Sequence, residues 1–351
     1  MTAKPPIVTA KRAVTIKDVA AAANVSRATA ARALNGYGYV GDAATERIAE
    51  AARLLGYRAN RLAQALRHGQ LPIIGFVPGA IQNPFFAQIA HDIDVELRRS
   101  RHSLLIASSE EDLTQERDLL DNLSALNVRG LIVAPASGQE NQHLKRLVQG
   151  GMPLVLIDRE LEDIACDSIT VDNAAGAHQA VSFLLASGHR RIGVIHDDSR
   201  IVTARERLAG YVRALTDAGL PIEKRLMAVS QSTVEYAIDT TIRLFSQPDP
   251  PTALFTVDSL MTKGALLAFR SMGLSIPHDL SLVGFDDFDL AIFTDPQITV
   301  VSQPVAQIGP LAVTMILDRI NGNREPPRRE RFPTRLIVRG SVARPGMARN
   351  R

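Results

Sequence analysis

Apolar residues along the N-terminal part of the chain recur at helical spacing. Ile16, Val19, Ala20 and Ala23 share one face of a helix expected from Ile16 to Ala23. Ala30, Ala33 and Leu34 face inward from a second helix that ends near Leu34, where Asn35-Gly36 stops it. Thr15 and Ser26 stand where N-caps belong, because a hydroxyl there can accept a backbone N–H of the first turn, and Asn24-Val25 breaks the run between them. Ile48, Ala52 and Leu55, at i, i+4 and i+7, give a third helix able to close a small core. Two short helices meeting at a tight turn and backed by a third are a helix-turn-helix unit, whose second helix is shaped to lie in a DNA major groove.

The following segment, GYRANRLAQALRHGQ (56–70), offers Asn60 as a cap and a short helix from Arg61 to Arg67. So few residues do not hold a helix alone in water. Two readings stay open: a segment that folds when it pairs with its symmetry mate and a DNA groove, Leu62 and Leu66 being free to pack or wedge, or an ordinary flexible linker.

From Pro72 onward the period changes. The runs PIIGFVP, SLLIAS, GLIVAP, PLVLID, SITVD, RRIGVIH, TALFTV and LSLVGFDD read as buried strands. Between them lie helices at Phe85–Arg99, Thr114–Leu126, Ala174–Ser187, Thr203–Ala218, Leu260–Met272 and Pro304–Arg319. Continuous apolar strands alternating with helices predict parallel sheets of right-handed β-α-β units, and there are too many strands for one small sheet. Two α/β lobes are expected.

Charge sharpens the division. Residues 1–68 hold 11 lysines and arginines against 4 acidic residues, +7 within a chain of net +3, which leaves the rest at −4. A basic head on a slightly acidic body suits a protein that meets phosphates at one end. At 351 residues, 46% hydrophobic and 22% charged, the chain is a folded multidomain protein rather than a disordered one. The single cysteine, Cys166, precludes an intrachain disulfide, fits a reducing cytosol and reads as a small buried apolar residue. Neither a secretory leader nor a membrane-length apolar run is present, so a cytoplasmic location is expected. Residues 1–13 read as a disordered basic arm and 342–351 as a flexible tail.

Ligands of open parallel sheets bind beyond the carboxyl ends of the strands. Asn83, Asp158-Arg159, Asp172, Asp258 and Asp286-Asp287 all follow strands, Phe85 and Phe86 adjoin Asn83, and Arg207 lies in the first turns of the helix after RRIGVIH. Carboxylates that accept from hydroxyls, a guanidinium fork that donates back and aromatic faces describe a sugar or polyol cleft. Each Asp alone could equally cap the helix that follows it.

The motifs VTIKDVAAAANVSRATAARALNG (14–36), GYRANRLAQAL (56–66), NPFF (83–86), ARERLAGY (204–211), LMTKGALLAF (260–269) and LVGFDD (282–287) resemble those of the lactose repressor family of bacterial transcription regulators, from about Val14 to Ser341. The resemblance implies an all-α helix-turn-helix head plus hinge helix, joined to a two-lobed α/β core like that of periplasmic binding proteins, with parallel sheets. The head would span 14–59, the hinge helix and linker 60–71, and the effector-binding and dimerisation core 72–341. Within that core the N-lobe would take 72–172 and 303–332, and the C-lobe 173–302 and 333–341. The resemblance further implies that Arg27, Ala28 and Arg32 read bases, that Thr15, Lys17, Ser26 and Thr29 meet phosphates, and that Asn60, Ala63 and Leu66 serve a minor-groove hinge. Asn83, Phe85, Phe86, Asp158, Arg159, Arg207, Asp286 and Gln303 would surround the effector. Two departures stand out. Ala30 and Ala31 replace the family's usual Val and Ser, and Val257 replaces an Asn, which removes a donor and an acceptor from the effector site.

The expected function is therefore a repressor of carbohydrate-metabolism genes, a homodimer or a higher assembly of dimers, that binds a near-palindromic operator and is controlled by a small polar effector, a sugar or sugar acid, with no cofactor, no metal and no membrane partner. A purine or phosphoprotein co-repressor is the alternative effector. A sugar-acting enzyme with Asp158 and Asp286 as its carboxylate pair is the alternative class, against which stands the lack of a nucleophile elbow, Walker loop or metal-ligand spacing.

Overall fold

The computed structural model describes residues 14–35, 38–57 and 71–346. The hinge positions Asn60, Ala63 and Leu66 lie outside the described residues. The chain divides into two compact units, residues 1–71 and 72–351.

In the first unit, α1 (Ile16–Ala22), α2 (Arg27–Asn35) and α3 (Asp42–Leu55) enclose a core of Val19, Ala20, Ala23, Ala30, Ile48, Ala51 and Ala52. Asp18, at the third position of α1, receives both the Thr15 N–H and its hydroxyl at 2.7 Å, and the Ser26 hydroxyl accepts the Thr29 N–H at 3.0 Å. Both helix starts are thus tied by local side chains. Leu55 does not close the core as its spacing suggested. It lies in the last turn of α3 with 38% of its surface exposed, and Ala51 fills the inward position.

The second unit holds two six-stranded sheets. The first contains β1 (Leu71–Val77), β2 (Ser103–Ile106), β3 (Val128–Val133), β4 (Leu154–Ile157), β5 (Asp167–Val171) and β11 (Arg329–Phe332), in the order β2-β1-β3-β4-β5-β11. The second contains β6 (Ile192–His196), β7 (Met227–Val229), β8 (Ala253–Thr256), β9 (Ser281–Phe285), β10 (Thr299–Ser302) and β12 (Arg335–Ile337), in the order β7-β6-β8-β9-β10-β12. The two orders are the same, so strands β1 to β5 and β6 to β10 correspond one for one. The pairings β3–β4, β4–β5 and β5–β11 are parallel, as are β6–β8, β8–β9 and β9–β10, but β12 runs antiparallel to β10. The chain crosses between lobes three times, after β5, after β10 and between β11 and β12.

The helices of the core are α4 (Pro84–Arg99), α5 (Leu113–Ala125), α6 (Gln142–Gln149), α7 (Asn173–Ala186), α8 (Val202–Asp217), α9 (Val234–Phe245), α10 (Ser259–Met272), α11 (Asp289–Phe293) and α12 (Val305–Ile320). Their apolar faces cover the sheets in separate cores, one around Tyr211, Phe255, Phe269 and Phe285 in the C-lobe and others around Phe76, Ile89 and Ile93 or Leu120 and Leu131 in the N-lobe. One close approach positions the functional site. A Cβ at Gly210 would come within 2.3 Å of the Ala174 carbonyl and 2.8 Å of the Ala177 Cβ, so only glycine lets α8 press onto α7. That contact presents Arg207, one turn earlier, to the end of the C-lobe sheet.

Candidate functional site

The two sheets meet at their carboxyl ends around a small cavity, and all nine effector residues expected from the sequence line it: Asn83, Phe85, Phe86, Asp158, Arg159, Arg207, Val257, Asp286 and Gln303. Asp158 follows β4 and Asp286 follows the corresponding β9. Both adopt left-handed backbone, φ 65° and 75°, an unfavourable state for a non-glycine residue that is held by N–H bonds to Ile169 and Val301. The strain turns each carboxylate off its strand end.

The side chains are tightly engaged. Arg159 grips Glu111 through both terminal nitrogens at 2.5 and 2.6 Å, donates to the Pro135 carbonyl at 2.7 Å and stands 3.1 Å from Asp158. Arg207 donates to Asn173 at 2.8 Å and to the Val257 carbonyl at 2.6 Å, with its guanidinium carbon 3.8 Å from the centre of the Phe285 ring. Although the Val257 side chain is apolar, its backbone thus anchors the arginine. Asn83 caps α4 by accepting the Phe85 N–H, and also accepts the Ser259 hydroxyl from the opposite lobe at 2.9 Å. Gln303 donates to Asp286, while its own Oε1 is buried without a partner.

Ser232, Asp197, Asp258, Glu111 and Thr203 complete its polar lining. The Ser232 hydroxyl lies 2.6 Å from a carboxylate oxygen of each of Asp197 and Asp258. Asp197 was within reach of the strand-end rule, since it follows RRIGVIH. Ser232 was not, because it follows the three-residue β7, and Glu111 comes from a loop with left-handed φ at Glu110 and Glu111. Two residues of the expected set belong elsewhere. Asp172 caps α7 through the Ala175 N–H, and Asp287 binds Arg339 at 2.8 Å; neither lines the cavity. For these two the helix-cap and ion-pair uses of aspartate prevail over ligand binding.

Burial pushes the Asp158, Asp197, Asp258 and Asp286 carboxyls above their ordinary range, with Arg159 opposing the shift at Asp158 and Ser232 opposing it at Asp197. Burial works against the Arg159 charge, but Glu111 and Asp158 hold that guanidinium firmly protonated. Asp258 therefore costs the fold stability at neutral pH. Because its folded pKa is raised, the carboxyl costs nothing below the ordinary carboxylate range of about 4, and stability falls as pH rises through the raised value. Asp258→Asn keeps an oxygen for the Met261 N–H that Asp258 caps, and is expected to raise the melting temperature at pH 7.5 by ~1–3 °C, the gain vanishing near pH 4. A lower melting temperature at pH 7.5 would contradict this.

The cavity measures about 40 Å³, room for a few waters and less than a sugar ring needs. A sugar ring enters only if the lobes or the facing side chains part, and the Asn83–Ser259 bond spans that gap. A roomier space of about 650 Å³ adjoins it, sharing Ala80, Glu111, Asp197, Ile201 and Ser232 as walls.

On the head, Ser26, Arg27, Ala28 and Arg32 are exposed, as is Lys17, whereas Ala30 and Ala31 are buried. Arg27, Ala28 and Arg32 thus share the solvent side of α2, and Thr15 and Thr29 are half-buried beside Lys17 and Ser26. Cys166 is buried, and burial pushes its thiol up to about 12, which fits the packing role read from the sequence. Among the described residues no cluster of metal-ligating side chains occurs and no helix is long and apolar enough to cross a membrane.

A helix-turn-helix head joined to a two-lobed parallel α/β core with a polar cleft defines a DNA-binding transcriptional regulator of the periplasmic-binding-protein type. Comparison with known proteins gives the particular family. The family described as bacterial regulatory proteins, lacI family, matches residues 15–60, and the periplasmic binding protein-like domain matches residues 181–342. The HTH-type transcriptional repressor CytR of Escherichia coli strain K12 is 31% identical over 336 residues, 94% of this chain and 96% of its own length. The transcriptional regulator CelR in complex with cellobiose is 28% identical with a TM-score of 0.70, covering 93% of this chain and 99% of its own. The lac repressor bound to ONPG in its repressed state is 26% identical with a TM-score of 0.81, covering 94% of this chain and 100% of its own. The chain belongs to the lacI family: it is a transcriptional regulator and not an enzyme.

Proposed function

We propose that this regulator is a cytoplasmic homodimeric repressor whose operator affinity is set by a sugar-class effector bound between the lobes of its core. The observation that carries the effector assignment is the convergence of Asn83, Asp158, Arg207, Asp286 and Gln303, from well-separated parts of the sequence, on one buried polar cavity. That solved relatives hold cellobiose and ONPG supports a carbohydrate in this cleft.

In this reading residues 14–59 form the DNA-binding head. Arg27, Ala28 and Arg32 enter the major groove, where an arginine can pair with guanine O6 and N7, while Thr15, Lys17, Ser26 and Thr29 meet the backbone. Paired heads read a near-palindromic operator. Residues 60–71 form the hinge, with Asn60, Ala63 and Leu66 at the minor groove, and the lobes of 72–341 bind effector and pair the subunits. Closure of the lobes on the effector biases hinge pairing, and a small free-energy bias suffices because so short a helix sits near its folding threshold.

The reading is tested by selecting operator fragments from the native genome, screening sugars by thermal shift, and repeating operator binding with each hit. Leu66→Ala is expected to weaken operator binding ~10-fold or more through lost groove insertion while the protein still folds. Parental affinity in this variant would remove Leu66 from the hinge role.

A further inference from the structure

Resting on the effector reading of the interlobe cleft, we infer that the cleft admits an uncharged, hydroxyl-rich ligand and excludes its carboxylate and phosphate forms, with Asp197, Ser232 and Asp258 setting that selectivity.

The argument begins with the charges that face the cavity. Glu111, Asp158, Asp197, Asp258 and Asp286 oppose Arg159 and Arg207, and among the described residues no lysine or histidine lines the wall. Both guanidiniums are largely committed to the protein. Arg159 spends both terminal nitrogens on Glu111 and the Pro135 carbonyl, and Arg207 spends its Nε and one terminal nitrogen on Asn173 and the Val257 carbonyl. An incoming anion therefore meets surplus negative charge without a free pair of forks to receive it.

The hydrogen count points the same way. The Ser232 hydroxyl has one hydrogen, yet it lies 2.6 Å from both Asp197 and Asp258. Only one of these contacts can use that hydrogen, so the other requires a proton on the carboxyl itself. Across the cavity the Gln303 Oε1, on a side chain more than nine-tenths buried, accepts from nothing. With that proton in place the Ser232 cluster is filled, and the cavity groups left without a hydrogen-bond partner are the Gln303 Oε1, an acceptor, and the Arg159 Nε, a donor that stands 3.1 Å from Asp158. A neutral polyol supplies the hydrogen that Gln303 lacks, and its other hydroxyls meet Asp197 or Asp258 as donor or acceptor without adding charge. A carboxylate or phosphate group brings no hydrogen to Gln303 and sets further negative charge beside the carboxylates.

The test uses the full chain and matched ligand sets: neutral pentoses, hexoses and alditols, each beside its aldonic acid, uronic acid and phosphate ester, followed by thermal shift and calorimetry. At least one neutral member should bind, with its acid and phosphate relatives weaker by ~100-fold or more. Asp197→Asn removes one carboxylate from the cleft and should narrow that ratio ~10-fold or more, and Asp258→Asn serves the same purpose if Asp197→Asn does not fold. An acid or phosphate ester binding within tenfold of its neutral counterpart would overturn the inference but leave the effector reading standing, as would an unchanged ratio in the folded variant. Binding by no member of any set would overturn the effector reading, and this inference with it.

Discussion

Arg207→Ala is expected to abolish the effector response while operator binding persists. The guanidinium is buried, tied to Asn173 and to the Val257 carbonyl, stacked on Phe285, and its charge offsets Asp158, Asp258 and Asp286. Truncation removes the cation from a site that keeps its carboxylates, which costs the core about 3 kcal/mol of stability and effector affinity by ~100-fold or more. The head folds around its own core of Val19, Ala30 and Ile48, so the exposed residues of α2 proposed to read DNA are untouched. Arg207→Lys keeps the charge but loses the fork, and should recover stability more than effector binding. Gel shifts with and without effector read the outcome; full response in Arg207→Ala would remove this residue from the site.

Arg27→Ala should weaken binding to the preferred operator by ~5–150-fold and broaden its sequence preference, the loss of one bidentate base contact. Arg27 is exposed near the start of α2, and the substitution removes no buried contact, so the melting temperature should stay unchanged. Lys17→Ala is the control. In the proposed phosphate role its loss should weaken all sequences alike and reduce the slope of log affinity against log salt by about 1. If Arg27→Ala and Lys17→Ala gave the same uniform loss, Arg27 would be a phosphate contact and not a base reader.

The fold was legible where the physics is local or periodic. The helices of the head announced themselves through the Ser26 cap and the spacing of Ile16, Val19 and Ala23, and the interior strands through unbroken apolar runs such as Ile192–His196 and Ser281–Phe285. What escaped was short or held from outside, together with one interior strand, β10, whose apolar run is only Val300-Val301 between Thr299 and Ser302. β11, Arg329–Phe332, carries charged residues on an edge and owes its strand to backbone pairing with Asp167–Val171, which no local pattern encodes. β12 is three residues long and antiparallel, and β7 has three residues and a half-exposed face. The site was legible for the same reason the interior was: Asn83, Asp158 and Asp286 sit at ends of strands that could be read. Ser232 was hidden behind β7, and Glu111 reaches the cavity through a left-handed loop whose course depends on its fit against Arg159. Asp172 shows the opposite failure, a strand-end aspartate whose side chain turns to its own helix.

The coupling of head to cleft is tested most directly by fluorescence anisotropy of the full-length protein on its selected operator, titrated with the best sugar-class hit at fixed ionic strength. The expected result is nanomolar binding to a near-palindromic site and an affinity change of ~5–150-fold at saturating ligand, lost in Arg207→Ala. An operator affinity that stays the same from zero to saturating ligand, in a protein that calorimetry shows to be fully loaded, would contradict the account.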